Sequence, residues 1–256
     1  MAPSASPLDA GLTAGRTGEF RPTPRPARTG RGGARPVRLG RLEGASAKEV
    51  SALVRTAPVV CVLDRSGSMY GVGGDPNDIA GAVIESLLDA LDRAGEGRAA
   101  FAAFGSSAPA EYATGLLGIR QSKRQLVAAA RTGPGLGGTN VASGLERAAE
   151  ALKGIRPDET PVVYLITDGG FADVAAGRSV LSRMPDACVH VLLIGTWGEV
   201  ADGIGRQLIA DGFGSVTPIN HLDVAELANQ VWTIFGRTLG LGATPAPIRT
   251  NRKRTP

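Results

Sequence analysis

The stretch that most constrains this chain is Pro58-Val59-Val60-Cys61-Val62-Leu63, an uninterrupted apolar run that stops at Asp64 and continues as Arg65-Ser66-Gly67-Ser68-Met69. A run of that length, rich in β-branched residues and bounded by a polar turn, predicts a fully buried strand. In open parallel α/β sheets, ligands sit just beyond the carboxyl ends of the strands. Asp64, Ser66 and Ser68 therefore fall where a site is expected. Oxygen donors without a nearby His or Cys suit a hard cation such as Mg²⁺ better than zinc or copper.

Two further stretches offer oxygen in equivalent places. Gly137-Gly138-Thr139-Asn140 precedes a helical pattern, and Leu165-Ile166-Thr167-Asp168-Gly169-Gly170 closes another apolar strand. Taken singly, each has a structural explanation: Thr139 as a helix cap, Asp168 as the residue that fixes a turn. Their occurrence in three loops at one edge favours a shared site. Asp75, Asn77 and Asp78, close to the first loop, are expected to cap the helix that follows them.

Around these loops, strand and helix patterns alternate. Strands are expected over Gly97–Gly105, Pro161–Thr167, Ala187–Gly195 and Gly214–Ile219, with Ala110–Ala113 as a short edge strand. Helical spacing marks a turn over Ser46–Arg55 and helices over Ile79–Leu91, Ser122–Arg131, from just after Thr139 to Leu152, and over Asp173–Met184, Val200–Ala210 and Asp223–Leu239. Nearly continuous aliphatic strands between helices predict an α/β fold: a mostly parallel, doubly wound sheet with helices on both faces and one short antiparallel edge strand.

Composition and charge divide the 256 residues differently. Residues 1–44 are rich in Pro, Gly and Arg, cannot bury enough apolar surface to offset their ordering entropy, and are expected to be a disordered tail. The folded domain is expected over 45–242, with 243–256 as a second basic tail. The formal charge of +4 belongs to those tails: eight arginines face three acids through residue 45, and four basic residues face none from residue 244, leaving 16 basic and 21 acidic residues between. Such tails are candidates for an acidic partner or for nonspecific, salt-dependent nucleic-acid binding, though no aromatic stacking platform accompanies them.

Aromatic residues are only 4% of the chain, so the core must be aliphatic. Cys61 and Cys188 lie in apolar strands without motif spacing and are expected to be buried free thiols. His190 and His221 are read as packing and capping residues. No apolar run suits a signal peptide or a membrane span, so a cytoplasmic, reducing location and no membrane association are expected.

The order Asp-x-Ser-x-Ser at Asp64, Gly-Gly-Thr at Gly137 and Thr-Asp-Gly at Thr167 resembles a von Willebrand factor A domain with an intact metal-ion-dependent adhesion site, of the bacterial intracellular type, over about residues 56–240. The resemblance implies Mg²⁺ or Mn²⁺ held by Asp64, Ser66, Ser68, Thr139 and Asp168. It also implies a protein partner presenting Asp or Glu to that cation. Related intracellular members work with AAA+ ATPases of the MoxR type or in tellurium-resistance-like systems, so an adaptor rather than an enzyme is expected. No catalytic residue is assigned. The competing reading is a metal-assisted phosphohydrolase, since a strand-ending Asp also opens haloacid-dehalogenase-like sites. There the second residue after the nucleophile is a carboxylate, and here it is Ser66.

Overall fold

The computed structural model describes residues 41–43, 46–70, 76–95, 97–184, 186–195, 198–219, 224–238, 240 and 242–244, all within the compact unit Val37–Pro256. The rest of both expected tails, residues 1–40, 44 and 245–256, lies outside the described residues, as do Asp75 and His221 and the side chains of Asn77 and Asp78. In chain order come β1 (Arg41–Glu43), α1 (Ala47–Thr56), β2 (Val59–Asp64), a 3₁₀ turn (Gly67–Tyr70), α2 (Pro76–Ala94) and β3 (Arg98–Phe104). A second 3₁₀ turn (Ala110–Tyr112) leads to β4 (Leu117–Gly118), α3 (Ile119–Thr132), α4 (Val141–Ala151), β5 (Val162–Thr167) and α5 (Val174–Leu181). The sequence continues with β6 (Cys188–Ile194), α6 (Gly198–Ala210), β7 (Ser215–Ile219), α7 (Val224–Thr238) and β8 (Gly242–Thr244).

The main sheet has six strands in the order β4-β3-β2-β5-β6-β7, parallel except for β4. From β2 the chain winds outward through β3 in one direction and returns through β5, β6 and β7 in the other. The crevice between the carboxyl ends of β2 and β5 is thus the topological switch point, the place where such sheets bind ligands. Leu63 lies beside Ile166, which sets Asp64 next to Thr167.

Alternation along each strand builds two cores. Val59, Cys61, Leu63, Tyr164 and Ile166 face α2, α3 and α7, while Val60, Val62, Val163 and Leu165 face α4, α5 and α6. All six residues of β2 are buried, as are all six of β5, which is why neither shows a polar alternation. Gly144 lets α4 lie close on the sheet: a Cβ there would fall 2.7 Å from Phe104 Cδ1 and 2.9 Å from Val62 Cγ1. That approach carries the start of α4, next to Thr139, toward the strand ends.

One element differs from its sequence expectation. Ala110–Tyr112 is a 3₁₀ turn, Ala113 makes a single antiparallel bridge to Ala102, and the antiparallel edge strand is Leu117–Gly118. Pro109 precedes the turn and has no N–H to give to a ladder. The Phe101 amide donates instead to Thr114 Oγ1 at 2.9 Å. At the margins of the segments read as tails, Arg41–Glu43 pairs with Gly242–Thr244 as a separate antiparallel ribbon. Cys61 is buried and Cys188 half-buried, both as free thiols; burial pushes the Cys61 thiol up to about 12.

Candidate metal centre

Asp64 ends β2 with no exposed surface, because the strand runs buried to its last residue. Its Oδ1 accepts a hydrogen bond from the Ser66 amide at 2.8 Å, which turns the chain sharply after the strand. Its Oδ2 accepts from the Thr167 hydroxyl at 2.7 Å, and Thr167 Oγ1 in turn accepts from the Gly169 amide at 3.0 Å. One threonine thereby joins the first loop to the third. The turn also brings Ser66 Oγ within 3.1 Å of Ser68 Oγ.

The second loop is seated on the first by backbone. The Arg65 amide donates to Phe104 O at 2.7 Å, the Leu136 amide to Arg65 O at 2.8 Å, and the Gly67 amide to Gly137 O at 2.8 Å. Gly105 makes room for this crossing, since a Cβ there would lie 2.5 Å from Leu136 O. Ser106 Oγ accepts from the Gly138 amide at 2.7 Å. Thr139 follows directly, and its carbonyl accepts from the Ala172 amide of the third loop at 3.1 Å.

Hydrogen bonds therefore link the three loops that carry the five residues named from the sequence, at the switch point of the sheet. The five grade from a buried floor to solvent: Asp64 and Ser66 are buried, Thr139 and Asp168 half-buried, Ser68 exposed. Thr139 does not cap α4; Asn140 does, its Oδ1 accepting from the Ser143 amide at 3.1 Å. The Thr139 hydroxyl makes no hydrogen bond to a described residue. Asp168 Oδ1 accepts from the Gly170 amide, but at 3.3 Å.

Among the described residues no cation pairs with the site's carboxylates. Burial pushes the Asp64 carboxyl above its ordinary range; the hydrogen bonds from Thr167 and Ser66 oppose that push, and the nearby Asp168 charge adds to it. Neither carboxylate forms an ion pair with a described residue. The adjacent cation, Arg65, is turned away: its buried guanidinium donates to Ala129 O at 3.0 Å and Ala130 O at 2.6 Å, at the carboxyl end of α3. A cation close by would offset the cost of burying one carboxylate beside another. Three hydroxyls and two carboxylates are hard oxygen donors that fit Mg²⁺ or Mn²⁺. Among the described residues no three His, Cys, Asp or Glu side chains gather as a metal-holding group, so the hydroxyls would have to share the coordination.

Residues 59–171 match the model of the von Willebrand factor type A domain, which spans both carboxylates and all three loops. Over those residues the chain is similar to a von Willebrand factor type A domain, or A domain. Solved structures agree on the fold. A von Willebrand factor type A protein from Catenulispora acidiphila aligns at 19% identity with a TM-score of 0.56, over 77% of this chain and 53% of that one. The pilus adhesin SpaC from Lactobacillus rhamnosus GG aligns at 14% identity and a TM-score of 0.58, over 73% of this chain but only 30% of the adhesin. The conserved hypothetical protein BatB from Bacteroides thetaiotaomicron aligns at 17% identity and a TM-score of 0.52, over 71% of this chain and 99% of BatB. No curated protein matches the sequence. Among the described residues no helix is long and apolar enough to cross a membrane.

Three contributors to the site were not named from the sequence: Thr167, Ser106 and Asp173, which holds the first amides of α4. Thr167 had a signal, as the polar residue that ends an otherwise aliphatic strand. The other two act across 30 or so residues of chain and left none.

Proposed function

We propose that the A domain is a metal-dependent protein-binding module, in which a divalent cation held by Asp64, Ser66, Ser68, Thr139 and Asp168 receives an Asp or Glu side chain of a partner protein. The observation that carries this reading is the Asp64 carboxylate, fully buried at the switch point, beside Asp168 and without a described cationic partner. Ser66, Ser68 and Thr139 would add hydroxyl ligands to that floor, from buried through half-buried to exposed. Neutral hydroxyls supply ligands without cancelling charge, so the cation when bound would still attract a partner's carboxylate as a further ligand.

The chain's own residues do the rest. Asp64 and Thr167 fix the floor, the Ser66–Ser68 turn presents two hydroxyls, and the backbone bonds among Arg65, Gly67, Leu136 and Gly137 hold the second loop in register. No nucleophile and base pair is assigned at this site, and the module is proposed as an adaptor rather than an enzyme. An intracellular assembly with an AAA+ ATPase of the MoxR type, or of the tellurium-resistance-like kind, is the setting proposed for it. The experiment is capture of partners from lysate by the full chain, with Mg²⁺ or with EDTA, and with Ser66→Ala as the site variant. The same partner should be lost to EDTA and to Ser66→Ala; a partner retained in both contradicts the reading.

A further inference from the structure

Asp173 occupies the N-cap position of α5, yet its carboxylate makes no capping bond to that helix. It reaches α4 instead. Oδ1 accepts from the Val141 amide at 2.8 Å and Oδ2 from the Ala142 amide at 3.0 Å, and both amides belong to the first turn of α4. Next to it, the Ala172 amide donates to Thr139 O at 3.1 Å. Thr139 and Asn140 are thus bracketed by three hydrogen bonds from two consecutive residues of the third loop. A helix start leaves its first amides without intrahelical partners. Here Asn140 takes one and Asp173 takes two.

We infer that Asp173 is a positioning residue for the metal centre: it fixes Thr139 relative to Asp168 by tying the start of α4 to the loop that carries Asp168. This rests on the metal-dependent reading above. The mechanism is geometric. The only covalent path between the Thr139 and Asp168 loops runs through all of α4 and β5, so their relative placement is set by contacts, and Asp173 supplies a bidentate one. Groups that orient ligands without touching the cation typically change its affinity by about 10- to 100-fold when removed.

The test is the affinity of the full-length chain for Mn²⁺, read by electron paramagnetic resonance, in wild type, Asp173→Asn, Asp173→Ala and Asp168→Ala. Circular dichroism checks that each variant is folded at the working temperature. Asn and Ala remove the charge equally, but Asn keeps one acceptor oxygen. The inference expects a graded loss, roughly tenfold for Asp173→Asn and up to about 100-fold for Asp173→Ala. Equal losses in the two would mean that only the charge matters and would overturn it. Unchanged affinity in both, with binding abolished in Asp168→Ala, would overturn the inference and leave the metal reading intact. Wild-type affinity in Asp168→Ala would remove the metal reading itself, and the inference with it.

Discussion

Gly105→Ala is the most discriminating single perturbation of the loop scaffold. The added Cβ would stand 2.4 Å from Leu136 Cβ, 2.5 Å from Leu136 O and 2.6 Å from Leu136 C. Ordinary carbon contacts begin near 3.5 Å, so the second loop must retreat by on the order of 1 Å. Two of the three clashing atoms are backbone, and no rotamer change relieves them. The retreat pulls against bonds from Ser106 N to Leu136 O (2.8 Å), Leu136 N to Arg65 O (2.8 Å) and Asn140 N to Gly105 O (2.6 Å). Overpacking of this kind costs about 1–3 kcal/mol, and each domain-scale kcal/mol lowers Tm by roughly 2–4 °C. The expected drop without metal is therefore roughly 4–8 °C for a cost of about 2 kcal/mol. Differential scanning fluorimetry with and without excess MgCl₂ reads both consequences. Wild type should gain about 2.7 kcal/mol at a hundredfold excess over its dissociation constant, and Gly105→Ala should lose most of that gain because Thr139 moves with the loop. Gly115→Ala is the control, since nothing lies within 4 Å of its Cβ position. If Gly105→Ala melts with wild type and keeps the full Mg²⁺ increment, the loop contacts do not hold the site.

Thr167→Val keeps the shape of a fully buried side chain but leaves Asp64 Oδ2 and the Gly169 amide without a partner. Urea unfolding should show a loss of about 1–3 kcal/mol, and an unchanged midpoint would discard the bridging role. His190 is half-buried, stacked on Tyr164 at 5.7 Å, with Nδ1 against the Ser215 hydroxyl and Nε2 2.6 Å from Thr238 Oγ1. Burial lowers its pKa below 6.5, so the folded state stays neutral while the unfolded chain takes up a proton, and stability is lost as pH falls below 6.5 toward the folded value. Denaturation midpoints measured downward from neutral pH should fall less steeply in His190→Gln, and parallel curves would refute the assignment.

Much of the site was legible because its signals are local. Val59–Asp64 reads as buried because nothing polar interrupts it, and the polar turn after Asp64 announces the strand end. The same logic recovers β5 and its terminal Thr167-Asp168. What was not legible depends on distant chain. The destination of the Arg65 side chain is a pair of carbonyls at the end of α3, more than 60 residues away. Asp173 looks like the cap of its own helix, and only the packing of α4 beside α5 redirects it. Thr139 looks like a cap as well, until Asn140 is seen to take that role. The misplaced edge strand has a comparable cause: Ala110–Ala113 has no strong preference, and Pro109 together with the Thr114 hydroxyl decided against a ladder there.

The central claim is that side-chain oxygens from three separated loops grip one divalent cation. A crystal of the full-length chain soaked in MnCl₂ tests it directly through the anomalous difference map. The account predicts one strong manganese peak bounded by Ser66, Ser68 and Thr139, with Asp64 and Asp168 beside it. Manganese located elsewhere on the chain, or no peak at this crevice at saturating Mn²⁺, would contradict it.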